Sequence, residues 1–187
     1  MSDNSAPGRP PYLPGEAPQA ADIASMIRVD HAGEYGAVRI YDGQLAVLGR
    51  GRARDEIRHM AEAEQRHLAA FDGLVRARAV RPTVLQPLWH VAGFALGAAT
   101  ALLGERAAMA CTVAVEEVID EHYRAQAEEL GDSDPALGAT IREFRAEEAR
   151  HRATALEHGA AEAPGYELIS ACVKAGSRLA IWLSTRI

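Results

Sequence analysis

Apolar residues recur at helical spacing along most of the chain, and polar turn residues divide that pattern into six segments. Between Asp22 and about Leu48, the residues Ile23, Met26, Ile27, Ala37, Val38, Tyr41, Leu45 and Leu48 follow a period near 3.6, ending at Gly49-Arg50-Gly51. A second segment from about Arg52 to Arg78 puts Ile57, Met60, Leu68, Phe71, Leu74 and Val75 on one side, and Pro82 closes it. The two predict an αα-hairpin. A helix from about Glu105 to Leu130 stops at Gly131-Asp132-Ser133-Asp134-Pro135, where Asp134 is placed to cap the next helix, which runs to about His158. Gly159 and Pro164-Gly165 then set off Tyr166 to Ile187, where Leu168, Ile169, Leu179 and Trp182 mix with Lys174, Arg178 and Arg186. This reads as an amphipathic helix with a cationic polar face.

Residues 83–104 contain no Asp, Glu, Lys or Arg, which is about the length of a bilayer-crossing helix. Gln86, Pro87, His90 and three glycines weaken that reading. Arg76, Arg78 and Arg81 before the segment and Arg106 after it suit a helix resting on anionic headgroups. A buried crossover helix of a bundle is the third reading.

Some polar residues sit where the apolar pattern calls for core. Glu64-Gln65-Arg66-His67 and Glu148-Ala149-Arg150-His151 are both Glu-x-x-His, 84 residues apart, and Glu34 and Glu116 precede them on the neighbouring helices, 82 residues apart. The chain therefore reads as a duplicated helical hairpin. At about 100° per residue, Glu34 falls inside the arc of Met26, Ile27, Tyr41 and Leu45. Glu64 and His67 bracket Met60 and Phe71, Glu148 and His151 lie beside Phe144, and Glu116 lies nearer the apolar arc than Glu117. Glu56-Ile57-Arg58-His59 has the same spacing but turns away from its arc and reads as solvated.

Inward carboxylates cost several kcal/mol each when unpaired, and there are too few inward Lys or Arg to neutralise four of them. Two divalent cations would do so, and oxygen with imidazole ligands suits iron or manganese. The candidate metal ligands are thus Glu34, Glu64, His67, Glu116, Glu148 and His151. One Glu from each of two helices with Glu-x-x-His from two others is the ferritin-like di-iron pattern.

Composition narrows the remaining classes. The chain has 187 residues with a net charge of −6, which disfavours a general nucleic-acid binder. Two cysteines outside any C-x-x-C pair make a disulfide framework or thiolate zinc site improbable, and Cys111 and Cys172 read as small core residues. Residues 1–21, with five prolines in the first 20, are expected to form a disordered tail, leaving 22–187 as a single domain. Asp30, one turn before Glu34, suits either a support for a ligand histidine or a capping or surface role. His31, His90 and His158 lack matched partners and are assigned structural roles, while Tyr35, Tyr41 and Tyr123 suit either core or pocket lining.

Three stretches carry a resemblance: Met26 to Ala37 (MIRVDHAGEYGA), the run from Arg81 to Gly104, and Cys111 to Tyr123 (CTVAVEEVIDEHY). Together they are similar to the demethoxyubiquinone hydroxylase family of ubiquinone biosynthesis, over nearly all of residues 24–187. The resemblance implies an all-α, ferritin-like four-helix bundle with an apolar crossover helix and a C-terminal amphipathic helix. It implies the same six ligands, with His122 and Tyr123 near the quinone. The implied activity is a monooxygenase that uses two Fe ions and O₂ to hydroxylate the ring of a polyprenylated methoxy-methyl-benzoquinol, the penultimate step of the pathway. One oxygen atom enters the ring and the other leaves as water. The resemblance implies electrons from outside, NADH being the family's proposed donor, and no Gly-x-Gly-x-x-Gly fingerprint of a Rossmann NADH domain appears.

The resemblance also implies peripheral attachment to a membrane through about 83–104 and 166–187. The expected address is the cytoplasmic face of a bacterial inner membrane, or the matrix side of the mitochondrial one. A lipid-binding partner protein and a homo-oligomer are further implications. The rivals are a ferritin-like iron store or peroxide scavenger, and a non-enzymatic helical membrane-interaction protein.

Overall fold

The computed structural model describes residues 20–187. They form six α-helices: α1 Ala20–Val47, α2 Arg52–Ala77, α3 Gln86–Leu102, α4 Glu105–Leu130, α5 Pro135–Glu157 and α6 Tyr166–Arg186. The tail expected over 1–21 lies outside the described residues except for Ala20 and Ala21, which open α1.

The predicted stops act as expected. Asp134 caps α5, its side chain accepting from the Leu137 amide at 3.0 Å, and Pro135 takes the first helical position, where its missing N–H costs nothing. Gly131 ends α4 at φ +51°, a conformation that disfavours side-chain-bearing residues. Arg54 reaches back from α2 to the Leu45 and Leu48 carbonyls, which satisfies acceptors that the end of α1 leaves open.

Helices α1, α2, α4 and α5 make the ferritin-like bundle, with α1–α2 and α4–α5 as its two hairpins. Its interior is layered. One apolar cluster joins Leu48, Ala53, Ile57, Met109 and Ala155, and a second joins Ile27, Phe71, Leu130, Leu137 and Ile141. Glu34, Glu64, Glu116 and Glu148 fall in sequence between the residues that their own helices give to the two clusters.

The other two helices lie outside. Helix α3 packs on α1 through small residues: a Cβ at Gly97 would overlap the Ile40 carbonyl, and one at Gly43 the Phe94 carbonyl. Gly93 and Gly97 are buried in this seam, while Val84 and the α3 residues Leu88, Val91 and Leu102 are exposed. The apolar segment is therefore a crossover helix buried along one face only. Among the described residues no helix is long and apolar enough to cross a membrane. Helix α6 packs against α4 and α1, burying Ser170, Val173 and Ser184 and exposing Leu168, Leu179 and Trp182.

Candidate metal centre

The four bundle helices bring the six predicted ligands together at mid-height. Glu34, Glu64, Glu116 and Glu148 are at most 1% exposed, His67 is equally buried, and His151 is 9% exposed. They form two overlapping groups, Glu34–Glu64–His67–Glu148 and Glu64–Glu116–Glu148–His151, each offering donor atoms within 4.8 Å of one another. Glu64 and Glu148 belong to both groups, which is what bridging carboxylates would require.

Both histidines turn Nδ1 inward. His67 Nδ1 lies 3.0 Å from Glu148 and 3.5 Å from Glu34, and His151 Nδ1 lies 3.1 Å from Glu64 and 3.0 Å from Glu148. The i, i+3 spacing sets each histidine about one turn from the glutamate of its own motif. The outer Nε2 of His67 meets the Glu147 carboxylate at 2.9 Å, and Glu147 in turn pairs with Arg150 at 3.2 Å.

The electrostatics describe a cation-poor pocket. Burial, together with repulsion from Glu64 and Glu148, pushes the Glu34 and Glu116 carboxyls well above the usual range. Burial alone would raise Glu148 too, but hydrogen bonds from His151 and His67 hold it down at about 2. The carboxylates outweigh burial at both histidines, raising His151 to about 9 and His67 further. Protons thus stand in for missing positive charge. Six buried atoms on Glu34, Glu64, His67, Glu116 and Glu148 have no hydrogen-bond partner, an expensive arrangement unless something binds them. The donor set of four carboxylates and two imidazoles fits two divalent ions of the iron or manganese type.

Two tyrosines close the site. The Tyr41 hydroxyl donates to Glu116 at 2.8 Å, and the Tyr123 hydroxyl donates to Glu34. Burial and the nearby carboxylates raise both phenols well above 10, so both keep their protons. Each tyrosine lies seven residues after the glutamate of its own helix and donates to the glutamate of the other.

The remaining expectations divide. Asp30 is buried and pairs with His122 at 2.9 Å, so it supports a histidine, though neither of the two in the metal groups. His31 is buried against Asp72 at 3.0 Å, His90 meets the Tyr35 hydroxyl at 2.7 Å, and His158 donates to the Thr154 carbonyl, all structural contacts. Glu56 and His59 stay away from the core. Cys111 is buried, but Cys172 is exposed, because α6 turns the adjacent Val173 inward instead. Glu147 escaped the sequence reading, since it sits off the inward arc of its helix and matters only through a histidine on α2.

A cavity of about 440 Å³ lies beside the centre between α1, α3, α4 and α6. Its walls are mostly apolar, with Ile40, Leu96, Val115 and Ile119 among them, and its polar lining includes Asp30, Glu34, His122 and Tyr123. The ubiquinone biosynthesis protein COQ7 model matches residues 21–184. The chain belongs to this family. The 3-demethoxyubiquinol 3-hydroxylase of Rhodospirillum rubrum is 58% identical over 176 residues, covering 94% of this chain and 83% of that protein. The NADPH-dependent 3-demethoxyubiquinone 3-hydroxylase, mitochondrial, of Homo sapiens is 52% identical over 171 residues, covering 89% and 79%. The 5-demethoxyubiquinone hydroxylase, mitochondrial, of Saccharomyces cerevisiae is 40% identical over 186 residues, covering 90% and 80%.

Proposed function

We propose that this COQ7-family chain is a monooxygenase that hydroxylates the ring of a polyprenylated methoxy-methyl-benzoquinol in the penultimate step of ubiquinone biosynthesis. The observation that carries this reading is the cavity: one apolar space reaches from Glu34 and Tyr123 to Trp89, Leu179 and Ser184 on the outer helices. An iron store has no use for such a route. Glu34, Glu64, His67, Glu116, Glu148 and His151 would hold two iron ions, which supply O₂ activation when bound. The protein's own work is positional. The apolar walls take the ring and the first prenyl units, and Tyr123 donates to Glu34 at the inner end. Burial of the site excludes water from the reacting ring.

Electrons come from an external nicotinamide nucleotide. NADH fits the resemblance, while several relatives carry NADPH in their names, so comparing the two donors decides between them. The side chains around the outer end favour a bilayer surface as the source of substrate. Leu88, Val91, Leu168, Leu179 and Trp182 are exposed on α3 and α6, the helices that flank the cavity. Arg186 stacks over Trp182 at 4.3 Å, an aromatic and cationic pair suited to headgroup depth. The proposed attachment is peripheral, on the cytoplasmic face in a bacterium or the matrix face in a mitochondrion.

Two experiments test this. The iron-loaded chain, given short-prenyl quinol, O₂ and reductant, should yield a product heavier by one oxygen atom, and Glu148→Ala should abolish it; no product from the loaded protein overturns the reading. Leu88→Asp combined with Leu179→Asp should release the chain from vesicles containing anionic lipid without loss of helix by circular dichroism. Binding equal to that of the unmodified chain removes the membrane assignment.

A further inference from the structure

Asp30 is a buried carboxyl that the metal groups do not use. It is 2% exposed, and its Oδ1 lies 2.9 Å from His122 Nε2. A carboxylate has no proton to give, so across this contact the hydrogen comes from the imidazole. The His122 ring therefore donates from Nε2, and Asp30 accepts. Burial raises the Asp30 carboxyl, and the hydrogen bond from His122 is the strongest of the contacts that draw it back toward the ionised form. A neutral histidine has one donor and one acceptor nitrogen, so the partner of the first decides the role of the second. Here Asp30 makes Nδ1 an acceptor, and Nδ1 has no hydrogen bond to any of the described residues.

His122 and Asp30 both line the cavity beside Tyr123. A ring held there meets a lone pair at His122. A quinol offers a hydroxyl donor to that lone pair, whereas a quinone offers only carbonyl acceptors, which are repelled. We infer that Asp30, by fixing the tautomer of His122, makes the cavity select the reduced, hydroquinone form of the substrate ring. The names of the relatives divide on this point, some specifying quinol and some quinone. Asp30 is a positioning residue, and the specificity is expressed through His122. The inference rests on the proposed placement of the quinol in the cavity.

The duplication supports a dedicated role. Position 30 lies four residues before Glu34, and position 122 lies six residues after Glu116. At the positions that the duplication matches to these stand Thr112 on α4 and Ile40 on α1, which cannot form such a pair. The pair therefore exists at only one of the two α1–α4 positions that the duplication relates.

The test uses the full-length chain under anaerobic conditions, with zinc in place of iron so that ring and metal exchange no electrons. Binding of a singly prenylated methoxy-methyl-benzoquinol and of its quinone is followed by fluorescence of Trp89, which lines the cavity. The unmodified chain should bind the quinol about tenfold more tightly, the worth of one net hydrogen bond. Asp30→Asn can donate to Nε2 and turn Nδ1 into a donor, so its preference should vanish or invert toward the quinone. His122→Ala should bind both forms alike. The ¹⁵N shifts of His122 in the unmodified chain give a readout that needs no variant, and they should show Nε2–H. Equal affinities in the unmodified chain, an unchanged preference in Asp30→Asn, or an Nδ1–H tautomer would each overturn the inference. If neither form binds, the placement of substrate in the cavity fails as well, whereas equal binding of both leaves that placement standing.

Discussion

The two halves of the bundle carry one plan, used twice with different surroundings. On α1, Glu34 is followed by Tyr41 and Gln44; on α4, Glu116 is followed at the same spacings by Tyr123 and Gln126. The first half keeps its polar groups sealed: Tyr41 bonds Glu116 beside the Met60 sulfur, and Gln44 donates to the Ala108 carbonyl at 3.0 Å. The second opens them: Tyr123 bonds Glu34 at a cavity wall, and Gln126 lies beside the Asp30–His122 pair. Duplication thus supplies a symmetric set of ligands, and divergence at a few positions decides which side admits a molecule.

Metal stoichiometry is the most severe test of the symmetric part. Glu64 and Glu148 sit in both ligand groups, whereas Glu34 and Glu116 each sit in one. Glu64→Ala and Glu148→Ala should therefore lose both ions, and Glu34→Ala and Glu116→Ala should lose one each, read by elemental analysis of the purified chain. Equal losses from all four variants would mean that the two groups do not act as separate positions.

The flanks of the two halves differ as well, and here the expected effects are smaller. Helix α3 meets α1 backbone to backbone, so Gly97→Ala must push the helices apart at the Ile40 carbonyl. Overpacking of this kind should cost roughly 3 kcal/mol. Helix α6 meets α4 partly through ion pairs, Lys174 with Glu117 and Arg178 with Glu121 at 3.0 Å. Lys174→Ala should cost about 0.5 kcal/mol, as partly exposed pairs contribute little. Denaturant unfolding of the two variants measures the contrast. A small loss for Gly97→Ala would show that α3 is only loosely seated.

Much of this was legible in the chain itself. Helix boundaries followed from Gly, Pro and Asp134, because helix ends are local chemistry. The burial of the two Glu-x-x-His pairs followed from angle alone, because a carboxylate inside an apolar arc has nowhere else to point. The limits were physical too. The position of α3 depends on close approach through Gly43 and Gly97, and nothing in a run of apolar residues distinguishes a seam from an exposed greasy face. The Asp30–His122 and His67–Glu147 contacts join residues 92 and 80 apart in sequence, so only the fold brings them together. The repeat of Tyr41 at Tyr123 and of Gln44 at Gln126 was a readable signal that the glutamates and histidines overshadowed.

The paired tyrosines allow the finest comparison, since the chemistry is the same and only the surroundings differ. Both phenols are fully buried donors to a glutamate carboxyl, so Tyr41→Phe and Tyr123→Phe each remove one buried hydrogen bond. Each should lose roughly 1.5 kcal/mol, a drop of about 4 °C in melting temperature for a domain of this size. Their effects on turnover should part. Tyr41 is no part of the cavity wall, so its phenylalanine variant should keep near-normal kcat once metal-loaded. Tyr123 lines the cavity beside Glu34 and bonds it, so its loss frees that carboxyl where the ring must bind, and kcat should fall about tenfold. Thermal melts and single-turnover rates on the two variants separate stability from function. If kcat falls equally in both, the sealed and open sides are coupled through the metals, and the cavity has no privileged tyrosine.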